Sequence, residues 1–575
     1  MNNSILLEDC IEEFKKNNEL HLSKDDLFEL FSISQVTKKS NLSVEDIESS
    51  IVDGEKDGGI DCLLTLVDDA PILSDDEIES IELSESSCIK LVIGQVKNKK
   101  TFQEDVLDKI HISIPKLFDL DKNEEELQQS FNPLLVERLM IFRKLWRKAV
   151  IKNAQISIEF FVCCFAENRN ETPTYRLKQT QIIDATKQKI TPCKVAFNLF
   201  SAKELLEIYT SRPQTEIELN LKETPVSVAY AKGSIGYIGV ATIPEYLKFL
   251  TDNDGSLREQ IFEENIRHFQ GDVDVNKKIL ETLSGDFERD FWWLNNGITI
   301  IASHVGQIGK TLVLKNAQIV NGLQTSYTIG KFYQANIIGE DSRAILVKII
   351  VSSDKQTIDK IISATNRQNP VNPALLRATD DIQRKIELYF LSKGYYYDRR
   401  KNYYKNQGKP SSKIFSIQGA AQAIHAIINY KPGESRAKPT TLIKTEDSYN
   451  SIFSDSLDFE TYLNCCLISR KVSDFIKNHL LEKREKSYAR LFSHHIYRVI
   501  PSYLCKKSHA NKSAISQINI EKIDDQIIND TFEVIKECVE EFKLESKTQN
   551  TTSISKSGKF DDHLSKKLIS KFPST

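Results

Sequence analysis

The sequence predicts an α/β multidomain protein, and three observations predict it. Its 575 residues exceed what one hydrophobic core encloses; at roughly 100 to 200 residues per domain, about three or four units are expected. From about residue 60 to 390, short runs rich in Val, Ile and Leu alternate with segments of helical periodicity, the order of an α/β layer architecture. Beyond residue 412 the strand signals thin out and long helical patterns take over.

The elements follow in chain order. Residues 4 to about 50 repeat apolar side chains at helical spacing, with Ser23 and Asp26 as an N-terminal cap and early acid. "DGGIDCLLTLV" and "CIKLVIGQVK" read as strands, separated by residues 68–87, which carry eight acids and no base. That insert reads as a solvated loop, with a DNA-mimicking lid as the minority alternative. A helix over "NPLLVERLMIFRKLWRKAV" precedes a strand "AQISIEFFVCCFA", a helical piece near 176–188, a strand "KVAFNLF" and a helix "SAKELLEIY". The polar stretch around residue 214 marks a boundary. A second α/β block carries the strands "SIGYIGVATI", "GITIIASHV", "TLVLKNAQIV" and "RAILVKIIV". The expected units are 1–214, 215–410 and a mainly helical 411–545, followed by 546–575, whose Ser/Thr/Lys-rich composition predicts disorder.

Composition narrows the function classes. The 77 basic and 81 acidic residues leave a formal charge of -4, so a nucleic-acid site must be a local patch rather than a global basic surface. The 10 cysteines show no CxxC pair and several sit in apolar runs, the usage of reduced core thiols in a cytoplasmic protein. The first residues lack a signal-peptide pattern and no apolar run approaches a membrane span, so no membrane partner is expected.

Two constellations carry chemistry. On a strand, Gln95 and Lys97 point to one side, and Asp61 starts the preceding strand after a Gly-rich turn. Antiparallel pairing of the two strands would cluster Asp61, Gln95 and Lys97 at a sheet edge, where polar groups contribute little packing. The plain alternative is an edge strand whose lysines deter aggregation. Phosphodiester hydrolysis uses such a set: a carboxylate and an amide oxygen for Mg²⁺, and an ammonium to orient water. Glu29, on the preceding helix, is the further acid that could complete it. "DGGID" followed by a strand ending "QVK" resembles the PD-(D/E)XK nuclease core in its Mrr-like form, with glutamine in place of an acid. The resemblance implies a restriction-endonuclease-like α/β/α domain in which Asp61 and Gln95 bind Mg²⁺ or Mn²⁺ and Lys97 is catalytic. The 34 positions from Asp61 to Gln95 are a long spacing, which the acidic insert must account for.

The second constellation is dense in amides: "LREQIFEENIRHFQG", "FWWLNNGITIIA", "NAQIVNGLQTSYTIG" and "ISATNRQNPVN". Asn321 and Gly322 fall where a strand gives way to a helix, so free N–H groups and a positive helix end meet there, an anion site. Arg267 and Arg367 lie near asparagines in segments that could approach it; turn chemistry and capping are the structural alternative. These strings resemble the AIPR family, named for abortive infection and phage resistance, from about residue 25 to 460, including "YYYDRRKNYYKNQGKP". "IVNGLQT" and "ATNRQNPV" also resemble DGQHR-domain proteins linked to DNA modification, but Asn321, Gln324 and Thr325 replace that motif's Asp, His and Arg.

Residues 395–409 hold five tyrosines and five Lys/Arg against one acid. Arg399, Arg400 and Lys401 could bind phosphates while Tyr403 and Tyr404 stack on bases; packing of the tyrosines on neighbouring helices is the equal alternative. Trp292 and Trp293 read as core anchors. Together the resemblances imply a metal-dependent nuclease of prokaryotic anti-phage defence acting on nucleic acid, most readily DNA. RNA is the substrate alternative, and a non-catalytic nucleic-acid or nucleotide-binding regulator is the rival class. A homo-oligomer and a defence-system partner protein are further expectations.

Overall fold

A computed structural model describes residues 2–572 except 41, 53, 86, 170, 211–215, 230–234, 253–254, 263–273, 286–289, 336–340, 353, 367–376, 378–379, 400 and 481–482. The chain opens with three helices, α1 (Asn3–Asn17), α2 (Lys24–Val36) and α3 (Val44–Ser50). Ser23 caps α2 by accepting from the Asp26 N–H, and Ser43 with Asp46 forms a capping box on α3.

A five-stranded sheet follows: β1 (Cys62–Val67), β2 (Ala70–Ile72), β3 (Cys88–Lys97), β4 (Gln155–Cys164) and β5 (Lys194–Phe200), in the order β2-β1-β3-β4-β5. β1 is antiparallel to β2 and β3, whereas β3, β4 and β5 are parallel. Parallel neighbours need crossovers. The first runs through α5 (Glu104–Leu117), α6 (Glu124–Ser130) and α7 (Pro133–Lys152), the second through α8 (Pro173–Lys189); α9 (Ala202–Thr210) closes the unit.

Period-two alternation fills both faces of this sheet. Cys62, Leu64, Leu66, Val92, Val96, Phe161 and Cys163 pack with the buried side of α1, α2 and α9. Leu63, Leu91, Ile93, Ile158, Phe160 and Val162 pack with α5 and α7. The result is a helix–sheet–helix sandwich.

The acidic segment 68–87 is built into this unit rather than solvated. It contains β2 and a short helix, α4 (Asp75–Glu79), and buries Ile72, Ile78 and Leu83. Three of its acids have partners within the protein: Asp69 pairs with Lys90 at 2.9 Å, Asp75 with Lys144 at 2.8 Å, and Asp76 accepts from the Thr441 N–H at 2.9 Å, while Glu79, Glu82 and Glu85 are exposed. Apolar residues spaced along the insert supply the burial that a charge count alone conceals.

The second α/β unit has a separate core drawn from residues 217–349. One sheet orders β12 (Gln318–Asn321), β9 (Ile298–Ala302), β13 (Ala344–Val351), β8 (Ile235–Thr242) and β7 (Val226–Ala229); a smaller one orders β10 (His304–Ile308), β11 (Thr311–Lys315) and β6 (Glu216–Asn220).

From Asp381 onward the chain is mainly helical, and its apolar residues join the core of the first unit rather than forming their own. The tail is part of it. The segment expected to be disordered holds helices Thr551–Ser555 and Gly558–Lys571, which bury Ile554, Phe560, Leu564 and Leu568. A few apolar residues at helical spacing, placed against an existing core, outweigh the polar composition. Among the described residues, no helix is long and apolar enough to cross a membrane.

Candidate active site

The Gly-rich turn before β1 does what its glycines allow. Gly58 and Gly59 adopt φ of 65° and 83°, and the Asp57 carboxylate accepts the Gly59 N–H at 2.8 Å. A Cβ on Gly59 would stand 2.9 Å from the Lys109 Cβ, so the turn lies tight against α5. It delivers Asp61 to the start of β1, where its N–H donates to the Gly94 carbonyl at 2.9 Å and its carbonyl accepts from Val52 at 2.8 Å. The antiparallel register places Cys62 opposite Gly94, bringing Asp61 against Gln95.

Three donors then converge on one carboxylate oxygen. Asp61 Oδ2 accepts from Gln95 Nε2 and from the Val96 N–H at 2.8 Å, and Lys97 Nζ lies 3.7 Å away. Asp61 is 2% exposed and Gln95 1%, while the Lys97 side chain is 37% exposed. The cluster is therefore at the ends of two interior strands, not at a sheet edge as expected. β3 is paired on both sides, so the reading of Lys97 as an edge-strand guard does not hold. Burial also means that truncating Asp61 leaves buried donors without an acceptor, so this residue has a structural share that sheet-edge placement would not give it.

Gln95 Oε1 is buried and has no hydrogen-bond partner among the described residues. With the Asp61 carboxylate it makes a pair of hard oxygen donors, the type that suits Mg²⁺ or Mn²⁺ with water and substrate oxygens filling the other positions. Among the described residues, no group of three His, Cys, Asp or Glu side chains is placed to hold a metal ion. Glu29 stands on α2 near Cys62, the residue after Asp61. Burial foremost, then the charges of Glu29 and Asp61, push the Cys62 thiol up to about 12 against the opposing Ser50 hydrogen bond.

The amide-rich junction is braced internally. Asn321 ends β12, and its Oδ1 accepts the Gly322 N–H at 2.8 Å; Gly322 has φ of 90° and leads into α12 (Leu323–Ala335), counted after α10 (Ile243–Leu250) and α11 (Asp274–Ser284). Asn276 Nδ2 donates to Gln324 at 2.9 Å and Asn295 Nδ2 to Thr325 at 3.2 Å. A Cβ on Gly322 would meet Ile298 and the Gly297 carbonyl. The glycine is thus required by packing against β9, and Gly322→Val tests folding rather than ligand approach. Arg267 and Arg367 lie outside the described residues.

The basic, tyrosine-rich stretch is folded inward. Arg399 Nε donates to Glu387 at 2.7 Å, Tyr404 Oη donates to the same carboxylate at 2.6 Å, and Lys401 pairs with Asp46 at 2.7 Å. Tyr404 is buried and Arg399 is half-buried. Tyr403 is half-buried and meets the Tyr404 ring edge-on; Arg400 lies outside the described residues. The expected strip of phosphate contacts and stacking rings is therefore corrected at three of its positions: Glu387 takes up Arg399 and Tyr404, and Asp46 takes up Lys401. Trp292 and Trp293 are also corrected, being 39% and 63% exposed, with Phe291 as the buried anchor. Successive side chains of a single 3₁₀ turn fan around its axis and cannot all face one core.

Sequence reasoning missed the Val96 N–H, a backbone group with no signature, and a charged cavity between α2, α3, α7 and the C-terminal helices. The family model described as AIPR protein matches residues 262–553, just over half of the chain, and this span begins after the Asp61 cluster. No curated protein and no solved structure matches the chain.

Proposed function

The chain belongs to the AIPR protein family, and from that premise we propose that it is a metal-dependent nuclease of anti-phage defence, with its centre at Asp61, Gln95 and Lys97 and DNA as its substrate. Membership in a family named for abortive infection and phage resistance supports the defence role. The observation that carries the nuclease reading is the convergence on Asp61 Oδ2, with the neighbouring Gln95 Oε1 buried and lacking a hydrogen-bond partner. A helix–sheet–helix unit with β1 antiparallel to β3 and β3 parallel to β4 supports a restriction-endonuclease-like fold.

Asp61 and Gln95 would hold Mg²⁺ or Mn²⁺, which when bound polarises a phosphoryl oxygen and acidifies a water. Gln95 and Val96 fix the orientation of the Asp61 carboxylate by two hydrogen bonds, so its geometry is set before any ligand arrives. Lys97 reaches solvent while remaining beside Asp61, and its ammonium can meet a phosphate approaching from outside and orient the attacking water. These residues do not distinguish deoxyribose from ribose.

A second reading has an observation of its own. The near-complete burial of Asp61, with no group of three ligating side chains among the described residues, favours a non-catalytic nucleic-acid or nucleotide-binding regulator. Incubating purified protein with plasmid, linear DNA and RNA, in Mg²⁺, Mn²⁺ or EDTA, separates the readings. Metal-dependent cleavage of DNA supports the first; retention of nucleic acid without cleavage under every condition supports the second.

A further inference from the structure

A cavity of about 350 Å³ lies between the first α/β unit and the C-terminal helices; Glu29 is on its wall, while Asp61, Gln95 and Lys97 are not. Its walls are unusually ionic for an interior space, and the pairing of those charges is uneven. Four of its six lining carboxylates have close cations: Asp26 pairs with Lys486 at 3.3 Å, Glu48 with Lys477 at 2.5 Å, Asp75 with Lys144 at 2.8 Å, and Glu137 with Arg436 at 2.6 Å and Lys556 at 2.7 Å; Glu45 accepts from Ser416 and lies in the field of Arg470. Three lining guanidiniums make no ion pair within 4.0 Å among the described residues, although Glu137 acts on Arg138, Glu45, Glu48 and Asp474 on Arg470, and Glu48 on Arg490 at longer range. Among the described residues, Arg138 donates to the carbonyls of Ser49 and Leu73. Arg470 donates to the carbonyls of Ile414 and Ser411 and lies over the Phe415 ring. Arg490 has no hydrogen bond or ion pair among the described residues.

Guanidinium groups present a planar fork of donors that matches phosphate, and inside a cavity they are less screened than at a surface. The volume is at the lower end of the range for small-molecule sites, roughly 300 to 1,000 Å³. From three lining arginines that make no close ion pair among the described residues, and from the size of the space, we propose that this cavity binds a phosphate ester of mononucleotide size, its phosphate held by Arg138, Arg470 and Arg490. Arg470 and Arg490 belong to the family-matched span and Arg138 to the first unit, so the ligand touches both. This assignment does not depend on the nuclease reading.

Calorimetric titration of the full chain with AMP, GMP and inorganic phosphate tests it. At least one nucleotide should bind saturably at one site per chain, more tightly than inorganic phosphate. Arg490→Gln should weaken that binding by roughly 10-fold or more, the loss of a charged hydrogen bond. Arg490→Lys, which keeps the charge without the fork, should fall between, and serves if the glutamine variant does not fold. Lys97→Ala should bind as the parent does. Absence of saturable nucleotide binding, parental affinity in both Arg490 variants, or loss of binding in Lys97→Ala would each overturn the assignment, the last by placing the ligand at the Asp61 cluster.

Discussion

Lys97 Nζ stands 3.7 Å from Asp61 Oδ2 across the ends of β1 and β3, with the Gln95 amide and the Val96 N–H on the same oxygen. A buried carboxylate with an ammonium at its solvent side is costly to build for structure alone, since an apolar pair at adjoining strand ends would pack with no desolvation. Under the proposed nuclease function this arrangement is the prepared site, and its consequences can be measured.

Gln95→Glu is the sharpest probe of metal fit. Without metal it sets a second buried carboxylate against Asp61, and like charges so close cannot both ionise readily. The variant should melt below the parent in EDTA at pH 8, recover at pH 5, and recover at pH 8 when excess Mg²⁺ is added. Cleavage in Mg²⁺ should be preserved or raised. A melting deficit indifferent to Mg²⁺ would count against Asp61 and residue 95 as a joint ligand pair.

The stretch from Tyr395 to Lys409 should behave as packed structure. Tyr404→Phe deprives the buried Glu387 carboxylate of a donor, and should cost about 1–3 kcal/mol in stability. Lys401→Ala should leave the slope of log affinity against log salt unchanged, because its ammonium is engaged by Asp46. A slope reduced by about 0.9 would instead reveal a phosphate contact.

Asp398 gives the fold a pH dependence of definite sign. Burial foremost, with the charges of Glu45 and Glu387 adding and the Tyr404 N–H opposing, raises its carboxyl to about 7 from an ordinary 3.8. Between those values the folded chain holds a proton that the unfolded chain releases, so this group's contribution to stability falls as pH rises from about 4 to 7. Asp398→Asn can still accept from Tyr404 but never ionises. Its melting temperature relative to the parent should rise across that interval and level off above pH 7. Parallel profiles for the two proteins would refute the assignment.

What the sequence disclosed was mostly local. Apolar, β-branched runs in "CLLTLV" and "CIKLVIGQVK" located β1 and β3, and the glycines before Asp61 located the turn, because strand-like composition and positive φ are properties of short segments. Burial of Asp61 was not legible, since it depends on β4 pairing to β3 across an interval of about 60 residues. Much longer separations concealed the partners of Lys401 and Asp76, and the partner of Arg399, 12 positions away, lies on the preceding helix; these turned an apparent binding strip and an apparent loop into internal contacts. The tail misled because composition weighs its serines and lysines equally with Phe560, Leu564 and Leu568, whereas packing selects only the latter.

The measurement closest to the central claim is single-turnover cleavage of DNA by the parent, Asp61→Asn and Lys97→Ala, each with its melting temperature recorded. The account predicts cleavage by the parent in Mg²⁺ and none in EDTA, and a loss of roughly 100-fold or more in each variant. Lys97→Ala should melt below the parent, because it removes the cation beside a carboxylate that is only 3% exposed, so both variants are compared with the parent at a temperature where all three remain folded. Undiminished cleavage in EDTA, or by either variant, would contradict it.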